Sequence, residues 1–228
     1  GGGVGGLPTP GGGGGGGGGL LCCFATGGCL GVSTPLFAPR PRTGSNCSFT
    51  IGYAGRLEEM KGLGTLAEAL IGLRGEWQLL IAGEGPYQAR LEGGLAQKGQ
   101  GKRITFTGRI PSREMPEFLN QLDVLVLPSL TRPNWKEQFG RVLIEAMACG
   151  VPVVGSNSGE IPHVIGEAGL IFPEGDALRL RECLERLQGD VALRQDLAHR
   201  GRERILHHYT QAQIAQETVA FYREVLAK

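Results

Sequence analysis

The sequence predicts a doubly wound α/β domain, a parallel sheet covered by helices on both faces. Three observations carry this reading. From residue 48 onward, short apolar runs alternate with stretches long enough for helices. One run, Asp123 to Leu127 (DVLVL), is apolar at consecutive positions, as in a strand buried on both faces. Several runs close on glycine-rich polar segments, including Gly55-Arg56, Gly83-Glu84-Gly85-Pro86 and Gly155-Ser156. Strands that alternate with helices imply parallel pairing through right-handed crossovers.

Taken in order, Phe49 to Ala54 reads as a strand and is followed by a helix near Gly62 to Leu73. Trp77 to Ala82 is a second strand, with a helix near Tyr87 to Gln97. Ile104 to Thr107 makes a third strand, and a helix from Pro111 to Leu122 begins on proline, which suits a first helical position. The DVLVL strand precedes a helix from Phe139 to Cys149. Val151 to Val154 and Gly169 to Phe172 are further strands, with a turn at Ile161 to Val164 between them. A helical tail runs from Asp176 to the end.

Composition divides the chain. Residues 1 to 31 hold 17 of its 40 glycines, no charged residue precedes Arg40, and the first acidic residue is Glu58. A glycine tract of this kind buries too little apolar surface to offset the entropy of ordering it. Residues 1 to 44 are therefore read as a disordered or linker-like head, and residues 45 to 228 as one domain. The formal net charge of +1 gives no electrostatic reason to expect nucleic acid or an anionic membrane surface as a partner. Six cysteines in 228 residues make no disulfide framework, and no CxxC pair suggests zinc. The apolar stretch from Leu20 to Val32 is too short to span a bilayer and lacks a basic flank. A reduced, cytoplasmic setting is the expectation.

In doubly wound sheets, ligands bind beyond the carboxyl ends of the strands and near helix N-termini. Residues predicted there are the candidates for chemistry. Gly55-Arg56, followed by Lys61 at a predicted helix start, places two cations where a diphosphate could sit. Taken alone, they read rather as a pair of solvated surface charges. Glu137 and Glu145 are too far apart to form an acid–base dyad, but two carboxylates along one crevice suit a ligand bearing hydroxyls at both ends. On residue type alone, Glu137 can instead complement a helix dipole and Glu145 can be a solvated helical residue. The loop from Gly155 to Glu160 either cradles phosphate or turns the chain. Gly83 to Pro86 is not a dinucleotide fingerprint, because no acidic residue follows at the required spacing. His163, His207 and His208 read as structural.

Together these segments resemble the C-terminal domain of glycosyltransferase family 4, the group 1 glycosyl transferases. The strongest match is Glu137-Gln138-Phe139-Gly140 with Glu145 and the following Ala146-Met147-Ala148-Cys149-Gly150-Val151-Pro152-Val153-Val154, similar to the family's E-x7-E element. Gly55-Arg56 with Lys61-Gly62 resembles its phosphate-binding turn. Ala82 to Pro86, Phe106 to Ile110, Val126 to Ser129, Ser158 to Pro162 and Gly169 to Pro173 follow in the family's order.

The resemblance implies the C-terminal half of a GT-B fold, Rossmann-like, in a retaining glycosyltransferase. Its donor would be a nucleoside-diphosphate sugar, with no cofactor and no metal. Arg56 and Lys61 would hold the donor diphosphate, and Glu137 the sugar hydroxyls. The amides of Phe139 and Gly140 would orient the sugar. Glu145 would bind the ribose, and the backbone at Arg109 and Ile110 would border the base. The family implies a peripheral association with the inner membrane face and an N-terminal domain that binds the acceptor. Gly31 to Phe37 resembles the interdomain connection, and the residues before it are too few to form that domain, so the chain alone is expected to be inactive. An apolar face on the last helix (Val219, Phe221, Tyr222, Val225, Leu226) is expected to be partly exposed. Two alternatives share these residues: a non-catalytic nucleotide-binding module, and a nucleotide-sugar epimerase of the same fold.

Overall fold

The computed structural model describes residues 31–41 and 48–226. Most of the predicted glycine-rich head lies outside them. The six strands are β1 (Phe49–Ala54), β2 (Trp77–Ala82), β3 (Ile104–Gly108), β4 (Val124–Leu127), β5 (Val153–Ser156) and β6 (Leu170–Phe172). They form one sheet in the order β3-β2-β1-β4-β5-β6, with every neighbouring pair parallel.

The helices are α1 (Leu63–Ile71), α2 (Gln88–Gln97), α3 (Met115–Leu119), α4 (Arg141–Ala148), α5 (Ile161–Ile165), α6 (Ala177–Gly189), α7 (Val191–His208) and α8 (Gln211–Leu226). Alternation along β4 shows how they are layered. Val124 and Val126 belong to a core shared with Leu66 and Leu70 of α1, Leu91 of α2 and Leu184 of α6. Leu125 and Leu127 belong to the opposite core, shared with Phe118 of α3, Leu143 of α4 and Ile161 of α5. A side-chain period of two thus feeds both faces of the sheet, which is why the strand sequence is apolar throughout.

Several boundaries differ from the sequence reading. The helix expected over residues 111–122 is confined to Met115–Leu119, with Pro116 in its first turn, where a missing N–H is harmless. β5 starts at Val153 rather than Val151, after Pro152, and continues through Gly155 and Ser156. Gly155 belongs inside the strand because a Cβ there would press on Ile161 and Ile165 of α5. α5 itself was expected to be a turn. Its five residues are too few to show helical periodicity.

Residues 31–41, grouped above with the head, pack onto the domain. Val32 N donates to Tyr209 O at 2.8 Å, and Val32 and Phe37 are buried in the core. On α8, Val219, Tyr222, Val225 and Leu226 are 49–85% exposed, and the Phe221 side chain lies outside the described residues. Among the described residues, no helix is long and apolar enough to cross a membrane.

A tight 3-10 turn, Glu59–Lys61, connects β1 to α1 and ends on Gly62 in the left-handed region (φ 69°). A Cβ on Gly62 would overlap the Pro128 carbonyl oxygen. Gly175 has a similar φ of 80° but open space around it. Gly175→Ala is predicted to cost about 1 kcal/mol from backbone conformation alone. Gly62→Ala is predicted to cost roughly 2 kcal/mol more, because it adds a backbone collision. Urea unfolding of both variants checks this, and equal losses would mean that Pro128 yields freely.

Candidate functional site

Chain direction across the sheet reverses between β1 and β4. β2 and β3 lie on one side of that point, β5 and β6 on the other. The loops leaving β1 and β4 diverge there and open a crevice at the carboxyl edge of the sheet. Gly55 and Arg56 follow β1 directly, and the 128–138 segment follows β4.

Two cavities meet at Gly55. The smaller, about 150 Å³, is walled by Tyr53, Lys61, Glu137, Gly140 and Arg141. The larger, about 470 Å³, is walled by Arg56, Glu84, Arg109, Ile110 and Met115. Residues singled out in four separate parts of the sequence therefore converge on one crevice.

At the centre of the smaller cavity, Lys61 Nζ donates to Glu137 Oε2 at 2.8 Å. Their side chains are only 14% and 12% exposed. Ser129 Oγ donates to the same oxygen at 2.8 Å. The Trp135 ring lies over the ammonium, 4.6 Å from Nζ to the centroid. Among the described residues, Glu137 Oε1 accepts no hydrogen bond, so one carboxylate oxygen is held and the other is available. Lys61 sits on the 3-10 turn, not at the start of α1 as expected.

The larger cavity is more open. Arg56 has 70% of its side chain exposed and pairs with Glu58 at 2.9 Å. Tyr53 donates its hydroxyl to Arg56 O at 2.8 Å, which fixes the backbone on which that guanidinium is carried. Burial pushes the Tyr53 phenol well above its ordinary range, with the nearby Glu137 and Glu58 charges acting in the same direction. It therefore remains a hydrogen-bond donor across the whole physiological range.

Two candidates fall outside both cavity walls. The Phe139 side chain is buried in the core and meets Tyr209 edge-on, with centroids 5.9 Å apart. Its ring anchors the loop, leaving only its backbone near the crevice. Glu145 lies one turn inside α4, which begins at Arg141 because Gly140 (φ 73°) precedes it in the left-handed region. Its carboxylate accepts from Arg141 Nε at 3.0 Å, so it reaches the smaller cavity only through that arginine. Burial raises the Glu145 carboxyl above its ordinary 4.5, against the lowering pull of Arg141.

Sequence reasoning assigned no role to Ser129, Trp135 or Arg141. Arg141 was detectable, since it stands four residues before Glu145 on one helix face. Ser129 and Trp135 act across loop geometry that no spacing encodes. The Gly155–Glu160 segment has several of its polar groups occupied. Asn157 Oδ1 accepts from Glu174 N at 2.8 Å, Ser158 Oγ lies 2.9 Å from Thr131 Oγ1, and Glu160 N donates to Glu137 O at 3.0 Å. It turns the chain and braces Glu137. His163 is exposed on α5. Among the described residues, no group of three or more His, Cys, Asp or Glu is arranged to hold a metal ion.

This crevice lies at the switch point of a doubly wound parallel sheet with the GT-B architecture. The family described as glycosyl transferases group 1 matches residues 41–204, and the chain belongs to that family. It is 30% identical over 183 residues to the 2-deoxystreptamine glucosyltransferase of Streptomyces kanamyceticus, covering 78% of this chain and 46% of that protein. The chain thus spans about half the length of the curated relatives it matches.

Among solved structures, it resembles the C-terminal domain of a group 1 glycosyl transferase (LpcC) from Francisella tularensis. The TM-score is 0.68 at 28% identity, over 79% of this chain and 99% of that one. The Anabaena protein HepE, solved in complex with UDP-glucose, shares the fold with a TM-score of 0.76 at 21% identity. That match covers 85% of this chain and 56% of HepE.

The raised Glu145 carboxyl makes a prediction about stability. The folded chain keeps this proton to higher pH than the unfolded chain does. The group's contribution to stability is therefore present below 4.5 and is lost as pH rises through the folded-state value. Glu145→Gln, which cannot ionise, removes that loss. Denaturant unfolding from about pH 5 to about pH 8 should show the variant gaining on the parent as pH rises. A constant difference would mean that Glu145 does not titrate in this window.

Proposed function

We propose that this domain binds a nucleoside-diphosphate sugar as the donor half of a retaining, metal-independent glycosyltransferase. The observation that carries the proposal is the Lys61–Glu137 pair at the switch point, with Arg56 just across Gly55. A cation held against a carboxylate can serve both halves of such a donor. Lys61 faces the diphosphate while Glu137, with Oε1 available, accepts from sugar hydroxyls. The small cavity suits the sugar and the phosphate nearest it, and the larger one suits the nucleoside. Arg109 and Ile110 border the base there, beside Arg56 at the diphosphate. The UDP-glucose complex of HepE, on the same fold, supports a nucleotide sugar as the ligand class.

In the transfer, the bond from the anomeric carbon to the terminal phosphate oxygen breaks, and negative charge collects on the departing diphosphate. Lys61 and Arg56 stabilise that charge, the service a divalent ion performs in other enzymes. An acceptor hydroxyl attacks on the face the diphosphate leaves, and its proton passes to the released phosphate. Retention follows from that same-face geometry. Glu145 reads the ribose in this scheme, with Arg141 swinging aside to free its carboxylate. The amides of Phe139 and Gly140, at the entry to α4, orient the sugar. A partner domain supplies the acceptor and the opposite wall of the cleft, and positioning by that wall accounts for much of the rate.

Calorimetric titration of the chain with UDP, GDP and ADP, and with the matching nucleosides, tests the reading. Arg56→Ala and Lys61→Ala should each weaken the preferred diphosphate by roughly 10- to 100-fold, the loss of one charge-assisted hydrogen bond. Nucleoside affinity should hardly change, and EDTA should leave diphosphate affinity intact. Equal losses for diphosphate and nucleoside would sink the role given to the two cations.

A further inference from the structure

The connection from β4 to α4 is long for a strand–helix loop, yet its middle is regular. Arg132 N donates to Trp135 O at 2.7 Å and Trp135 N to Arg132 O at 3.0 Å, closing a two-residue turn over Pro133 and Asn134. The segment leading into the turn is tied down on two sides. Leu130 N donates to Met60 O at 2.8 Å, and the Arg132 guanidinium lies 3.7 Å from the Glu59 carboxylate. On the other side, Thr131 N donates to Glu174 Oε2 at 2.5 Å and its hydroxyl lies 2.9 Å from Ser158 Oγ. The anchored turn presents one side chain, the half-buried Trp135, to the Lys61 ammonium.

We infer that Trp135 is a positioning residue for Lys61. Its ring face holds the ammonium against Glu137 before any ligand arrives. A lysine stem has four rotatable bonds, and a carboxylate on one side constrains the charge in one direction only. The electron-rich ring face attracts the cation from a second direction and keeps water from it. Ser129, bonded to Glu137 Oε2, fixes the carboxylate in turn. The turn, the ring, the ammonium and the carboxylate form one assembly anchored to the same 3-10 segment that carries Lys61. For its purpose, placing a cation for a diphosphate, the inference rests on the donor-site reading above. Its geometry stands without that reading.

The test needs no ligand. The whole chain is reductively methylated, and lysine modification rates are read by mass spectrometry, with exposed Lys98 and Lys102 as internal references. Trp135→Ala and Trp135→Leu should accelerate Lys61 by about 2- to 30-fold, while Lys98 and Lys102 keep their rates. Trp135→Phe, which keeps a ring face, should stay near the parent. Leucine protecting Lys61 as well as phenylalanine does would overturn the inference, because apolar cover would then suffice. So would an unchanged rate in the alanine variant, or a rise shared by all three lysines.

A second measurement links the assembly to the ligand. The other tryptophan, Trp77, is 2% exposed at the far end of β2, so ligand-induced changes in fluorescence report Trp135. UDP, GDP or ADP should change the emission of the parent and of a Trp77→Phe variant alike. If none of the three binds the parent chain, the donor-site reading fails, while the lysine rates still decide the role of Trp135.

Discussion

Lys61 and Glu137 stand 76 residues apart in sequence and meet at 2.8 Å with little contact with water. Taking two charges out of water is expensive, and their attraction offsets that cost only when the geometry is good and the remaining polar atoms are satisfied. The surrounding structure meets the first condition and all but one part of the second, since Glu137 Oε1 stays open to the crevice. Ser129 donates to the carboxylate, Trp135 covers the ammonium, and Glu160 N ties down the Glu137 carbonyl. Removing either charge alone would strand the other.

The pair exists because two loops approach closer than side chains normally allow. Gly62 lets the turn carrying Lys61 lie against the Pro128 backbone, and Gly159 lets the loop after β5 lie on the backbone of Glu137. Both sit in the left-handed region, and a Cβ on either would overlap a carbonyl oxygen. These contacts join the ends of β1, β4 and β5, three strands adjacent in the sheet but distant in sequence. The site is therefore a property of the sheet order. The same residues on any other order would not meet.

This explains what the sequence could and could not reveal. The strands were legible because DVLVL and its neighbours repeat the apolar signature of a sheet covered twice, and five of the predicted strands begin or end within a residue of the observed ones. The fifth strand slipped because Pro152 and Gly155 act through packing rather than through local pattern. Arg56, Lys61 and Glu137 were legible as residue types at strand ends, but their pairing was not, since nothing local connects residue 61 to residue 137. Glu145 was legible as a carboxylate inside α4, but the arginine one turn before it, which donates to it, went unread. Trp135 left no signal at all, because its role comes from a turn closed by backbone hydrogen bonds.

The two halves of the crevice also differ in a way that bears on binding. Around Lys61, desolvation has already been met during folding, so an anion entering there gains a cation that need not shed its water again. Around Arg56, the guanidinium is 70% exposed and rests on Glu58, so an incoming phosphate must exchange with that carboxylate. An exposed pair of this kind contributes little and breaks cheaply. The crevice thus combines one fixed cation with one adjustable cation on either side of Gly55. In the donor complex proposed above, this division would give rigidity at the phosphate next to the sugar, where charge develops as the sugar departs. It would leave freedom at the phosphate next to the nucleoside, where charge changes little. Preorganisation would then be concentrated where the proposed reaction changes the charge.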